Sequence, residues 1–570
     1  MRASRVLLGS SLLALGTAAY AVQFDNTTGG PQVATVGTNG DYASLAAAAT
    51  AFNAVTGGIN RPWTLEIQND LTEAANVGFA NTFGAGASLT IKPAASTTPK
   101  VTFTDLSTPP GTAVFGHLVL GSSAINASTP TPDATNTPSS VNAYIIDGSN
   151  TPNGTTRDLT FAVGETVAFV SPTNHILRIA GDTDGVVVKN ANFIFNDTAG
   201  SYAAIGLAGG TIGGNPVVPD NVVIENNDIR VGQLAVSTPA VGANAFGIQT
   251  TLAAISPAPA TGVAAVQGLT VRNNVIRARQ RGTFMNGTGS ATIEGNEIIL
   301  AGTTATGLTL GGIFHLNSNG VSGWTQTYNA NTVTTLNNPV TAAAQGTIPI
   351  FIDSGPTSGT YTITNNIVNG PIATSTVTTP VDLLIRGINI GSATSNYLVE
   401  HNSISIPATN ASGATANRVG GITAPSALSG NAVIRNNIIR MAETDGLSAA
   451  ISSAQTSNIV SEGNLLFVAA GGRVGRIGTT NYDTMADWRG AGFDLVATGS
   501  QFVDPATTIP NWNVDTLRFP GQPIAGINAV ASSTILFDID GAARPATGAF
   551  PGAQEPGPLA ASAQDWGLFE

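Results

Sequence analysis

Asp182-Thr183-Asp184-Gly185 is the densest acidic stretch ahead of a β-type apolar run, and Asp182 and Asp184 are therefore the first candidates for carboxylate catalysis. The same spacing suits a turn in which aspartates cap backbone amides. A second D-x-D-G, Asp538-Ile539-Asp540-Gly541, lies near the C-terminus with Arg544 as a candidate ion-pair partner. Neither copy continues as a helix-loop-helix calcium site, because the later ligands and closing glutamate are missing. His117, His175, His315 and His401 are too scattered for a metal site, and cysteine is absent. No metal site and no cofactor is evident, and calcium has no ligand set behind it. Trp324 and Tyr328, in a loop-like stretch, are the candidates for stacking on sugar rings; loop aromatics also pack over the edges of a core.

These residues are set among a phrase that recurs seven times. Val222-Val-Ile-Glu-Asn-Asn-Asp-Ile-Arg-Val231 returns as Leu269 to Ala278, Ala291 to Leu300, Tyr361 to Gly370, Tyr397 to Ile406, Ala432 to Met441 and Ile459 to Val468. The shared asparagines are Asn227, Asn274, Asn296, Asn366, Asn402, Asn437 and Asn464. The shortest gap, Asn274 to Asn296, is 22 residues, which predicts coils of ~20–25 residues, some lengthened by loops and some without a legible copy. Apolar residues alternate on both sides of the asparagine pair, so each copy reads as strand, corner, strand. Two residues before each origin stand Glu225, Arg272, Glu294, Thr364, Glu400, Arg435 and Glu462. This outward position carries both signs and reads as a solvated ladder that disfavours slipped register.

Stacking such coils places equivalent residues ~4.8 Å apart, with apolar columns inside and the asparagines in a ladder whose amides donate and accept between coils. From about Gly185 to Val468 the pattern resembles the secreted bacterial right-handed parallel β-helix proteins of the pectate-lyase-like superfamily. The fold class expected is all-β, a right-handed parallel β-helix (solenoid) with a short N-terminal helical cap and an irregular C-terminal cap.

Arg2 and Arg5, the apolar run Val6 to Leu15 and Ala19-Tyr20-Ala21 have the form of a secretory signal, so residues 1–21 are expected to be removed. The apolar run is too short to span a bilayer, no later segment qualifies, and the expected location is extracellular or at the cell surface. The net charge of -12, with lysine only at Lys92, Lys100 and Lys189, argues against nucleic acid as a partner. Charged residues are only 10% of the chain and hydrophobic residues 42%, which suits neutral hydroxyl and amide groups on exposed sheet over a long core.

Residues 22–110 are assigned to an N-terminal cap and first coils, 111–470 to the β-helix with loop insertions, 471–555 to a closing segment and 556–570 to a tail. Ala46 to Val55 is a short helix placed to cover the first coil, and strands follow at Trp63 to Ile67 and Leu89 to Lys92. Gly121 to Ser140, Gly232 to Gly262 and Pro407 to Ser426 read as loops. Gly37-Thr-Asn-Gly-Asp-Tyr42 resembles, with one inserted residue, the opening G-x-G-D-Y phrase of secreted bacterial β-helix proteins. Asp538 to Arg544 with Gly552-Ala-Gln-Glu555 resembles their closing segment, with Phe550-Pro551 where Asp-Ile is usual. With both ends covered, the expected state is a monomer.

The resemblance implies a carbohydrate groove walled by loops. In polysaccharide lyases of this fold, calcium-binding carboxylates work with a Lys or Arg base; the required acidic cluster is not apparent here. Asp182-Thr183-Asp184-Gly185 resembles in part the N-T-D-G motif of polygalacturonases, but their further aspartate pair and His-Gly are missing. The expected function is an adhesive, structural or glycan-binding role with a polysaccharide or cell-surface glycan as partner. A lyase or glycoside hydrolase is the alternative.

Overall fold

Each corner phrase becomes two strands meeting at a bend. In this computed structural model, Val223–Glu225 and Asp228–Val231 flank one corner, and Ala432–Arg435 and Ile438–Met441 another. The residue before the shared asparagine is left-handed, with φ 51° at Asn226, 55° at Asn273 and 56° at Asn436, and Gly295 and Gly463 take the same place. Asn and Gly tolerate this region where most side chains clash, so the pair fixes where the chain turns. The structure describes residues 22–74, 76–104, 115–126, 144–163, 169–195, 200–212, 215–232, 245–251, 265–300, 310–317, 323–335, 338–340, 346–353, 358–370, 373–375, 384–392, 394–407, 419–424, 428–442, 448–469, 471–494, 533, 535–545 and 549–555. The signal segment 1–21, the tail 556–570 and most of the three expected loops lie outside them; the strand Phe115–Asn126 runs into the first of those loops.

Among the described residues three long sheets result. The first has 13 strands, from Gln32–Val36 to Ile459–Glu462; the second has 12, from Leu71–Glu73 to Leu465–Val468; the third has 14, from Val77–Phe79 to Thr480–Tyr482. A coil passes through the first sheet, the asparagine corner, the second sheet and the third sheet before returning to the first. Pairing between coils is parallel, and the protein is a right-handed parallel β-helix, with 54% of the described residues in strands and two helices among them. The coils reach back to Gln32, well ahead of Gly185. Side chains on alternate residues, such as Ile224, Ile229 and Val231, fill one continuous interior.

Successive ladder asparagines are 47, 22, 35, 35, 36, 35 and 27 residues apart. The 22-residue coil is thus the shortest and not the usual length. The longest gap is one extended coil, because Val223–Glu225 pairs directly with Leu269–Arg272. Between Asn296 and Asn366 lies one further coil, whose corner asparagine is Asn331.

A column of glycines in the third sheet, Gly247, Gly282, Gly312, Gly387 and Gly421, lets its backbone approach the second sheet. A Cβ on Gly421 would stand 2.3 Å from Ile439 Cγ2 and 2.7 Å from the Ala450 carbonyl oxygen. Gly421→Ala is expected to cost ~1–3 kcal/mol through forced displacement of packed backbone. Gly78→Ala, with nothing within 4 Å of the added carbon, is its control. Equal thermal midpoints for the two variants would sink this account.

The N-terminal end is covered by a helix, Leu45–Asn53, whose Leu45, Ala48, Ala49 and Phe52 are buried in the core. Ser44 Oγ accepts from Ala47 N, and the buried Glu73 carboxylate accepts from Leu45 N and Ala46 N at 2.7 and 3.2 Å. Asp41 of the opening phrase accepts from the backbone amides of Val22 and Thr35. At the other end a second helix, Met485–Gly490, places Trp488 over the last coil, stacked on Phe493 at 4.2 Å.

The closing segment is divided between two tasks. Residues 473–494 cover the end, but the D-x-D-G-x-x-R stretch lies along the flank as a strap. Gly552 N donates to the Asn436 backbone carbonyl and Ala553 N to Ser403 Oγ, so the strap spans the asparagine corners of two adjacent coils. Phe550, Ala553 and Ile539 cover Ile367, Ile438, Leu465 and Phe467, which form an apolar strip separate from the main core. Arg544 pairs with Glu555, not with Asp538, whose carboxylate instead accepts from Asp540, Ala542 and Glu555 amides.

Candidate functional site

The shared asparagines are buried and linked. Oδ1 of each accepts from both the backbone N and Nδ2 of the preceding one, at 2.9–3.0 Å for Asn227 to Asn274 and for Asn402 to Asn437. The run passes through Asn331 and ends where Asn464 N donates to Asp494 Oδ1 at 2.9 Å. Asp494 also accepts from Ser461 Oγ and Trp488 Nε1; burial raises its pKa, and these donors oppose that rise.

Asp182 ends the third-sheet strand Phe169–Asp182 and Asp184 lies in the short turn from it to the first sheet, the two only 2% and 1% exposed. Asp184 Oδ1 accepts from Asp220 N at 2.8 Å, Asp220 Oδ1 accepts from Gln267 N at 2.5 Å, and Gln267 Oε1 accepts from Ser290 N at 2.9 Å. A second run of side chains thus caps the next coil at this turn. Burial, followed by repulsion from Asp184 and Asp182, pushes Asp220 up to about 9 against its bond from Gln267. Among the described residues, no group of His, Asp or Glu is placed to hold a metal ion.

Trp324 and Tyr328 are corrected from loop aromatics to core residues, 2% and 0% exposed. Tyr328 belongs to the strand Thr325–Asn329 and points inward on its alternation, while Trp324 packs edge-on against Tyr361 at 4.9 Å. Neither can stack on a sugar ring. The outer side of the third sheet also carries aromatics, with Arg281 lying 4.3 Å from the Phe284 and 3.9 Å from the Phe314 ring centroid. Phe246, Phe284 and Phe314 are buried there, and burial lowers Arg281 to about 10.

The outer face of the first sheet is different. One column carries Thr270, Thr292, Thr327 and Thr362 in register, continuing as Leu398, Val433 and Val460. Beside it, Thr325, Thr360, Asn396 and Asn431 are exposed. The charged column on the other side is longer than the corner phrases disclose, running Glu66, Lys92, Asp147, Lys189, Glu225, Arg272, Glu294. Lys189 meets Asp147 at 3.3 Å and Arg272 meets Glu225 at 2.6 Å. The hydroxyl column was legible in principle, since it stands four residues before each ladder asparagine.

No protein-family model matches the chain, and no curated protein matches it. Comparison with solved structures finds the crystal structure of pectate lyase Pel9A, with a TM-score of 0.37 and 11% identity over 93% of this chain and 97% of that chain. No helix among the described residues is long and apolar enough to cross a membrane.

Proposed function

We propose that the protein is an exported, monomeric surface β-helix that binds glycan in an adhesive role, through the open face of its first sheet. The observation that carries this reading is the in-register array of Thr and Asn side chains on that face. Hydroxyls and amides repeating every ~4.8 Å offer both donors and acceptors to a neutral polymer lying along the solenoid axis. Asp182, Asp184 and Asp220 are buried on two successive coils, where Asp184 caps a backbone amide, which supports binding over cleavage.

A glycan array probed with the full-length protein, followed by product analysis on every hit, tests this reading. Thr327→Arg with Thr362→Arg is expected to weaken binding at least ~10-fold with the thermal midpoint preserved, since long charged side chains would cover the hydroxyl rows. Asp182→Asn with Asp184→Asn is expected to leave binding intact. Cleaved products, or binding indifferent to the threonine changes, would overturn the proposal.

A further inference from the structure

His401 holds the left-handed corner position, φ 55°, that asparagine fills at Asn226, Asn273, Asn365 and Asn436. It is the titratable member of this set and is fully buried beneath the strap. Its Nε2 lies 3.0 Å from Ser533 Oγ and 3.7 Å from Glu400 Oε1. Glu400 is already engaged by Arg435 at 3.1 Å and by Asn436 Nδ2 at 3.0 Å. From the strap, Arg544 reaches across to donate to Asn365 Oδ1 at 2.9 Å and to the Phe550 and Gly552 carbonyls, with Glu555 as its ion-pair partner. The charged groups around His401 are therefore Glu400 and Arg435 from the corner and Arg544 from the strap, with Glu555 and Asp538 behind Arg544. A proton on this ring would add a third cation to a buried cluster whose nearest carboxylate is shared.

We propose that the C-terminal strap is an acid-released latch: protonation of His401 detaches the strap from the asparagine corner and uncovers the strip Ile367, Ile438, Leu465 and Phe467.

Burial first, then the charges of Arg544 and Arg435, hold docked His401 down to about 2, with the nearby Gly552 and Phe550 backbone opposing. A freed ring titrates near ~6.5. Docking is thus fully stabilised above that value and loses stability as pH falls below it. Glu555, raised by burial, works in the opposite sense and favours docking as it takes up a proton.

Hydrogen exchange on the full chain at neutral pH and near pH ~5, corrected for intrinsic exchange chemistry, reads the latch directly through peptides spanning 535–545 and 549–555. In the wild type, strap opening is expected to rise on the order of ten-fold in acid, while peptides spanning 432–441 stay protected. His401→Asn, the residue native to equivalent corners, should abolish that rise or reverse it, because Glu555 then acts alone. A wild-type strap indifferent to acid would overturn the proposal. So would a His401→Asn strap that opens as much as wild type in acid, or one already open at neutral pH, which would make His401 a packing residue.

Discussion

An Asn437→Leu variant is expected to lose about 3 kcal/mol or more of stability while keeping its β-helical spectrum. Asn437 Oδ1 accepts from Asn402 N and Nδ2, and its own Nδ2 donates to the Val399 and Arg435 carbonyls and to Asn464 Oδ1. Leucine matches none of these, and each buried donor or acceptor left unmatched costs ~1–3 kcal/mol. Asn436→Gly, at the adjacent left-handed position, keeps the turn but loses one amide bond to Glu400, so its effect should be clearly smaller. Chemical unfolding followed by circular dichroism separates the two. A midpoint for Asn437→Leu equal to wild type would mean that the amide run contributes nothing.

Trp488→Ala should be at least as damaging and should differ in kind. Trp488 is fully buried, stacks on Phe493, donates to Asp494 at 2.7 Å and lies directly against Gly475. Truncating a buried tryptophan costs ~3–5 kcal/mol. Here the vacated volume lies at the open end of a solenoid, so apolar interior of the last coil would meet water. Concentration-dependent dimers or larger species in light scattering are expected, appearing below the temperature of global unfolding. A strictly monomeric variant with wild-type stability would show that this helix does not seal the end.

The architecture was legible because its signals are local. A corner needs Asn or Gly at one left-handed residue, and the core needs alternation over four residues on each side, so a ten-residue phrase discloses both. The copy at Asn329-Ala330-Asn331 escaped notice because Ala330 adopts φ 55°, a conformation that costs an L-residue ~1–2 kcal/mol and has no sequence marker. Without that corner, Trp324 and Tyr328 read as loop residues although they belong to an inward-facing strand. Long-range docking had no local signal at all. Nothing near Arg544 reveals that its guanidinium meets Asn365, or that Phe550 covers Phe467 on a distant coil. The aspartates at 182 and 184 could be placed near a turn from their spacing, but the run of caps from Asp184 to Asp220 N and from Asp220 to Gln267 N joins residues remote in sequence.

Asp494 gives the amide run a direction. Every asparagine in the run both accepts from the coil before it and donates to the coil after it, whereas a carboxylate in the last place only accepts. Additional coils inserted anywhere between Asn227 and Asn464 would find a donor on one side and an acceptor on the other, so the protein can lengthen by internal duplication without redesign. A coil appended beyond Asp494 would face an acceptor that offers it nothing. The aspartate therefore acts as a stop codon written in hydrogen bonds, and related solenoids of different length should keep their terminal carboxylate while varying the number of asparagines before it.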